Sequence, residues 1–169
     1  MLLLHRRFFA CAGGAEEVVS VDSSAEALAR AQANAELNGF APDVCKWQQA
    51  DVFDYLRRAR EAGDTYDLII LDPPKFASSH YHVDRAARAY KDINLNGLRL
   101  LRAGGQLLTF SCSGAIDTDL FQKIVAGAVI DSRRQAWALS RFGAGVDHPL
   151  LMTFPEGEYL KGLHLKLCD

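Results

Sequence analysis

Charge of one sign is not in excess here: 19 lysines and arginines stand against 21 aspartates and glutamates, for a net charge of −2. That balance gives no global attraction to RNA or DNA, so any nucleic-acid contact must come from a local basic patch or another domain. Long apolar runs are lacking too. Met1 to Ala12 mixes Leu-Leu-Leu, His-Arg-Arg and Phe-Phe in stretches too short and interrupted for a signal peptide or a membrane span. The four cysteines, Cys11, Cys45, Cys112 and Cys168, show no C-x-x-C spacing. Neither a zinc site nor a disulfide framework is expected, and a reducing, cytoplasmic setting follows. Internal repeats and low-complexity tracts are absent.

What is present is the composition of one globular domain, with 49% hydrophobic and 24% charged residues. From residue 14 onward apolar β-branched runs alternate with helical patterns, the signature of an α/β fold with a mostly parallel sheet covered by helices on both faces. Strands are expected at Val18–Asp22, 44–49, Tyr66–Leu71, 106–110, 134–141 and 162–168. Helices are expected from a Ser23–Glu26 capping box to Asn38-Gly39, then at 53–62, 84–101 and 117–130.

In an open parallel sheet ligands bind beyond the carboxyl ends of the strands, which here are Asp22, Asp51, Asp72 and Ser111-Cys112-Ser113. Asp22 closes an apolar strand before a capped helix, where a carboxylate can accept from both hydroxyls of a ribose. Asp51 suits an adenine exocyclic amine, with the Val52 amide beside it for a ring nitrogen. Both acids read equally as helix caps. In Asp72-Pro73-Pro74-Lys75-Phe76 the two prolines cannot donate to a sheet ladder, so they mark a strand exit and present Asp72 to a planar substrate. Cys112 ends another buried strand before Gly114, which permits close approach of a ligand to the backbone. A free cysteine otherwise fills space, as Cys45 does within its strand.

Val18–Asp22, Asp51-Val52-Phe53, Asp72–Phe76 and Leu108–Gly114 together resemble the RlmI-type ribosomal RNA cytosine-C5 methyltransferases. The resemblance continues through Tyr90–Asn94, Asp119–Ile124, Asp147-His148-Pro149 and Pro155–Gly162, and runs from residue 13 to the end. It implies a Rossmann-like S-adenosylmethionine-dependent methyltransferase domain over residues 13–169, with S-adenosyl-L-methionine as cofactor and ribosomal RNA as substrate. In that chemistry a cysteine thiolate adds to carbon 6 of the base and makes carbon 5 nucleophilic. Cys112 matches the nucleophile's position. Asp72 would hydrogen-bond or protonate nitrogen 3 as charge develops, while also lying on the cofactor side with Asp22, Asp51 and Val52. Pro73, Lys75 and Phe76 would bind the substrate, and Lys75, Arg85, Arg88, Lys91, Arg99 and Arg102 could hold phosphates or form a solvated face.

The sequence departs from that family at its start. Where relatives carry a strand and a Tyr-Thr-Gly-Gly-Phe-Ser turn near the cofactor, this chain reads His5-Arg6-Arg7-Phe8-Phe9. Coded TAC ACC GGC GGT TTT TC, the family turn reads as His-Arg-Arg-Phe-Phe when entered at the last base of the tyrosine codon. Residues 1–12 are therefore expected to be an aberrant, out-of-frame segment, with the first strand and glycine loop missing or altered. Loss of a central strand exposes two sheet edges and favours self-association, hence a homodimer. Two other readings stand beside the cytosine-C5 one: an amino-group methyltransferase acting on a nucleobase, with Cys112 as packing, and a non-catalytic remnant.

Overall fold

The computed structural model describes residues 10–77 and 80–169. The His5–Phe9 segment lies outside them. The chain divides into two compact units, residues 1–55 and 56–169.

In the first unit, β1 (Val18–Asp22) pairs in parallel with β2 (Cys45–Gln49), and Asp22 stands opposite Gln49. Helix α1 (Ala25–Leu37) lies against both strands and buries Leu28, Ala31 and Ala35. This is the stripe at spacings of three and four that a helix needs to face a sheet. The N-cap is Ser24 rather than Ser23: Ser24 Oγ accepts from Ala27 N–H at 3.2 Å. No capping box forms, because the residue three beyond Ser24 is Ala27; Glu26 pairs with Arg30 at 2.5 Å one turn along. The helix stops at Asn38, and Gly39 turns the chain at φ 73°, a left-handed conformation that glycine adopts without strain. Helix α2 (Val52–Ala62) begins in this unit.

The second unit holds β3 (Tyr66–Leu71), α3 (Val83–Leu100), β4 (Leu101–Ser111), α4 (Thr118–Ser132), β5 (Ala136–Phe142) and β6 (Lys161–Leu167). Its four strands run in the order β3-β4-β6-β5. The mostly parallel sheet carries one reversed strand: β3 and β4 are parallel, and β6 runs antiparallel to both its neighbours, so that β5 points the same way as β3 and β4. The reason lies in the connections. Helix α4 carries the chain from β4 to β5, whereas the link from β5 to β6 contains only a short 3-10 turn at Pro155–Gly157. Without a crossover helix the returning strand pairs antiparallel.

Strand β4 also starts earlier than expected. Leu101 pairs with Tyr66, the register then shifts, and Leu68 pairs with Gln106, with Gly104 at φ 70° inside the irregular stretch. Helix α3 packs on β3 and β4 and against α4, and buries Tyr90, Ile93, Asn94, Leu98 and Leu100. The core of the unit is this layer over Leu107, Leu163 and Leu165, closed by Phe121 and Val125 of α4, while Phe110 is buried on the other face of the sheet against Phe142. Among the described residues β1 and β3 each have a single hydrogen-bonded neighbour.

Candidate active site

Strands β3 and β4 run parallel with Leu71 opposite Thr109, so both leave the sheet at one edge. The two prolines after Asp72 end the ladder there. Asp72–Phe76 thus departs beside Cys112, and β6 enters at the same edge with Lys161 opposite Ser111. The loop after β3 is bonded to the turn after β4. Ala77 N–H donates to Ser113 Oγ at 3.2 Å, and the same oxygen lies 3.0 Å from the Tyr90 hydroxyl. The Phe76 ring rests on Tyr90 with centroids 4.8 Å apart, and Tyr90 meets Phe121 edge-on at 5.7 Å. Tyr90 and Ser113 are fully buried, so this polar node is dry and its hydrogen bonds are costly to remove.

Ser111 and Ser113 are sealed, whereas Cys112 between them is half-buried. Alternation at the strand end therefore points the thiol away from the face that buries the serines. Asp72 and Pro73 are half-buried, and Lys75 is exposed. A side chain at Gly114 would meet nothing within 4 Å, so the space above that residue is open.

Lys161 is the group that sequence reasoning missed at this edge. It is 7% exposed, and its Nζ donates to the carbonyl of Ser113 at 2.8 Å and to that of Ile116. Burial pushes its pKa below the ordinary lysine value. The Cys112 and Asp117 charges pull it back up, and the Lys75 ammonium pushes it down. The resemblance had placed Lys161 in a run of similar residues, but only the β4–β6 register brings its side chain beneath the turn.

The acids of the first unit share an edge as well, since β1 and β2 are parallel and end together at Asp22 and Gln49. Both act as caps. Asp22 Oδ1 accepts from Ser24 N–H at 2.8 Å, and Asp51 Oδ1 accepts from Phe53 N–H at 2.8 Å and Asp54 N–H at 3.2 Å. Each carboxylate uses one oxygen for this, and the Val52 amide, at the first position of α2, is among the donors a helix start leaves unpaired. Two acidic acceptors and one backbone donor along one edge fit a ribose diol, an exocyclic amine and a ring nitrogen. In the same unit the Cys11 and Cys45 sulfurs are 3.1 Å apart, and burial, with Cys45 beside it, pushes the Cys11 thiol up to about 11.

Three of the expected phosphate holders are occupied elsewhere. Arg102 Nη1 donates to both carboxylate oxygens of Asp67, each at 2.8 Å; Arg99 donates to the Asp131 carbonyl at 3.2 Å; and Lys91 pairs with Asp131 at 2.8 Å. Arg102 stands at the start of β4, the edge opposite Cys112. Lys75, Arg85 and Arg88 are exposed. No group of three or more potential metal ligands occurs among the described residues, and no helix there is long and apolar enough to cross a membrane.

A layered α/β unit whose strand ends carry these groups is the architecture of a methyltransferase, and the chain belongs to the S-adenosylmethionine-dependent methyltransferase family, whose model matches residues 6–133. Among curated relatives it is 49% identical over 154 residues to Ribosomal RNA large subunit methyltransferase I of Photobacterium profundum. The match covers 91% of this chain and 39% of that protein, so the chain spans well under half the length of the relative. Among solved structures it superposes at a TM-score of 0.78 on a methyltransferase complexed with SAH, 26% identical, over 91% of this chain and 40% of the other. An S-adenosylmethionine-dependent methyltransferase from Streptococcus mutans gives the same TM-score at 25% identity, over 91% and 39% of the two chains.

Proposed function

We propose that this chain carries the catalytic machinery for transferring a methyl group from S-adenosyl-L-methionine to carbon 5 of a cytidine in large-subunit ribosomal RNA, in the cytoplasm. One observation carries the reading: parallel β3 and β4 release the Asp-Pro-Pro loop and Cys112 at one sheet edge, where Ala77 and Ser113 bond the two segments together. The name of the Photobacterium relative supports the RNA substrate.

Asp22 holds the ribose hydroxyls, while Asp51 and the Val52 amide hold the adenine. The cofactor supplies an electrophilic methyl group. Pro73 and Phe76 border the target base, Lys75 takes a neighbouring phosphate, and the base leaves its stack at a cost of about a few kcal/mol. The Cys112 thiolate adds to carbon 6, and Asp72 hydrogen-bonds or protonates nitrogen 3 as charge develops there. Carbon 5, made nucleophilic by the pair displaced from the carbon 5–carbon 6 double bond, would then take the methyl group, the electrons of the broken carbon–sulfur bond leaving with S-adenosylhomocysteine. Loss of the proton from carbon 5 and departure of the thiolate restore the aromatic ring. Sulfur suits both steps, because a thiolate adds near neutral pH and leaves again.

An RNA carrying 5-fluorocytidine tests this directly, since fluorine cannot leave carbon 5 as a proton does and the adduct persists. In a chain extended to the length of the curated relatives, the expected result is a covalent complex that Cys112→Ala abolishes together with methylation. Full methylation by the alanine variant would overturn the cysteine adduct in favour of amino-group transfer. The absence of any heat on titration with millimolar S-adenosylmethionine would leave the remnant reading.

A further inference from the structure

The first unit holds a pair of thiols that methyl transfer does not use. The sulfurs of Cys11 and Cys45 lie 3.1 Å apart, although the residues are 34 positions apart in the chain. No spacing in the sequence marks this pair; the fold makes it. Gly14 N–H donates to the Cys11 carbonyl and Ala15 N–H to that of Ala10, both at 3.1 Å, and Gly14 closes this turn at φ 87° in the left-handed region. The chain then enters β1, where Val18 N–H donates to the Val44 carbonyl at 2.8 Å and Val18 stands opposite Cys45. Glu17, just before the strand, is paired with Lys46, just after the cysteine. Backbone bonds, strand register and an ion pair therefore bring the two sulfurs together, not a chance approach of two side chains.

The pair is accessible from one side. Cys45 is 7% exposed, whereas Cys11 is half-buried, so a reagent in solution reaches Cys11 first. Cys45 borders a cleft lined by Ala35, Phe40, Pro42 and Trp47. Bonded sulfurs stand about 2.05 Å apart, so these two have about 1 Å to close. A thiol held that near acts as an intramolecular nucleophile, which favours a bridge over lasting capture of Cys11 by a small thiol. Burial, with Cys45 beside it, raises Cys11 to about 11, which slows the exchange near neutral pH.

We propose that Cys11 and Cys45 are a modification site for low-molecular-weight disulfides, which convert the two thiols into a bridge between the turn before β1 and the start of β2. Cys11 gives its proton to solvent, and its thiolate attacks one sulfur of the reagent. The reagent's sulfur–sulfur bond breaks; one half stays on Cys11 as a mixed disulfide, and the other leaves as a thiolate and takes up a proton. Cys45 loses its proton in turn and attacks the Cys11 sulfur, and the second half leaves in the same way. The two cysteines give up two electrons, which the reagent gains as it becomes two thiols. An excess of reducing thiol reverses the exchange. The bridge encloses β1 and α1 and sits where the two strands begin, whereas Asp22 and Gln49 lie where they end. It braces the unit and leaves the acidic edge open.

Incubation of the 169-residue chain with glutathione disulfide at about pH 8.5, where an ordinary thiol is half ionised, tests this. Acid quenching, alkylation and peptide mass spectrometry read the products. The Cys11 and Cys45 peptides should be linked, while exposed Cys168 carries glutathione. In the folded chain this linkage should exceed every other cysteine pairing about tenfold. The excess should vanish in concentrated urea, where loop length alone sets the pairing. A yield no higher than in urea would overturn the proposal, and so would a Cys11 that keeps glutathione while Cys45 stays a thiol. Neither Cys112 nor the cofactor takes part, so the outcome stands apart from the 5-fluorocytidine adduct.

Discussion

The two edges of the four-stranded sheet handle polar groups in opposite ways. At the edge where β3 and β4 begin, charges cancel in pairs near solvent: Arg102 grips Asp67, and Arg134 Nε joins Asp169 at 2.5 Å while its Nη1 donates to the Leu98 and Leu101 carbonyls. At the edge where they end, the polar groups are buried, and they bond loops to each other. Ser113 joins Ala77 and Tyr90, and Lys161 joins two carbonyls. Exposed pairs contribute little and tolerate change, whereas buried nodes are expensive to break. The same sheet therefore has a forgiving edge and an exacting one, and the exacting one carries the thiol.

The largest effect expected from breaking that contrast comes from Gly162. A Cβ there would sit 2.5 Å from both Cδ1 and Cε1 of Phe110, whose ring stacks on Phe142 at 5.8 Å. Gly162→Ala should destabilise the unit by up to about 3 kcal/mol, measured by urea unfolding, and Phe110→Leu should recover part of it. Next in size is Ser113→Ala, which leaves the buried Tyr90 hydroxyl and the Ala77 amide without their shared partner. About 2 kcal/mol of lost stability is expected, together with faster proteolysis of the loop after β3. A loss below about 0.5 kcal/mol would show that the node does not hold the loop.

Much of this edge was legible in the sequence, because β3 is an apolar run closed by Asp72-Pro73-Pro74. Proline cannot continue a ladder, so the exit of β3 is written locally. The cap of α1 was misplaced by one residue because Ser23 and Ser24 are equally able to cap. The choice falls to Ser24, whose amide is held by Asp22. The early start of β4 and the reversed direction of β6 depend on pairing between distant segments and leave no local mark. Lys161 was invisible for the same reason: a lysine before glycine looks solvated until the register with Ser111 buries it. Among the basic residues, Lys75 stood out by its place in the Asp-Pro-Pro loop, but the commitment of Arg102 to Asp67 depends on the pairing of distant strands and left no mark in the sequence.

The forgiving edge offers the matching smaller test. Arg102→Ala removes an exposed pair, with side chains 55% and 79% accessible. Its cost should stay below about 1 kcal/mol and shrink further in high salt, because such pairs are screened. A cost equal to that of Ser113→Ala would erase the distinction between the edges.

The smallest effects separate the edges by pH. Arg134 holds the Asp169 carboxyl below the ordinary aspartate value. A lowered acid contributes stability above the unfolded-state pKa, and that contribution is lost as pH falls through the folded-state value, so Arg134→Leu should flatten the acid limb of the stability curve. Lys161 works at the other end. Its pKa is lowered chiefly by burial, so the folded protein binds fewer protons there than the unfolded chain between the lowered value and the ordinary 10.5. Stability then rises with pH across that window, and below it the cost of burying the ammonium is constant. Thermal unfolding of the unmodified chain minus that of Lys161→Met should therefore be flat near neutrality and climb on the alkaline side. A difference that instead falls with rising pH would mean that the ammonium's attraction to Cys112 and Asp117 outweighs its desolvation, and that this edge is held by charge as the other one is.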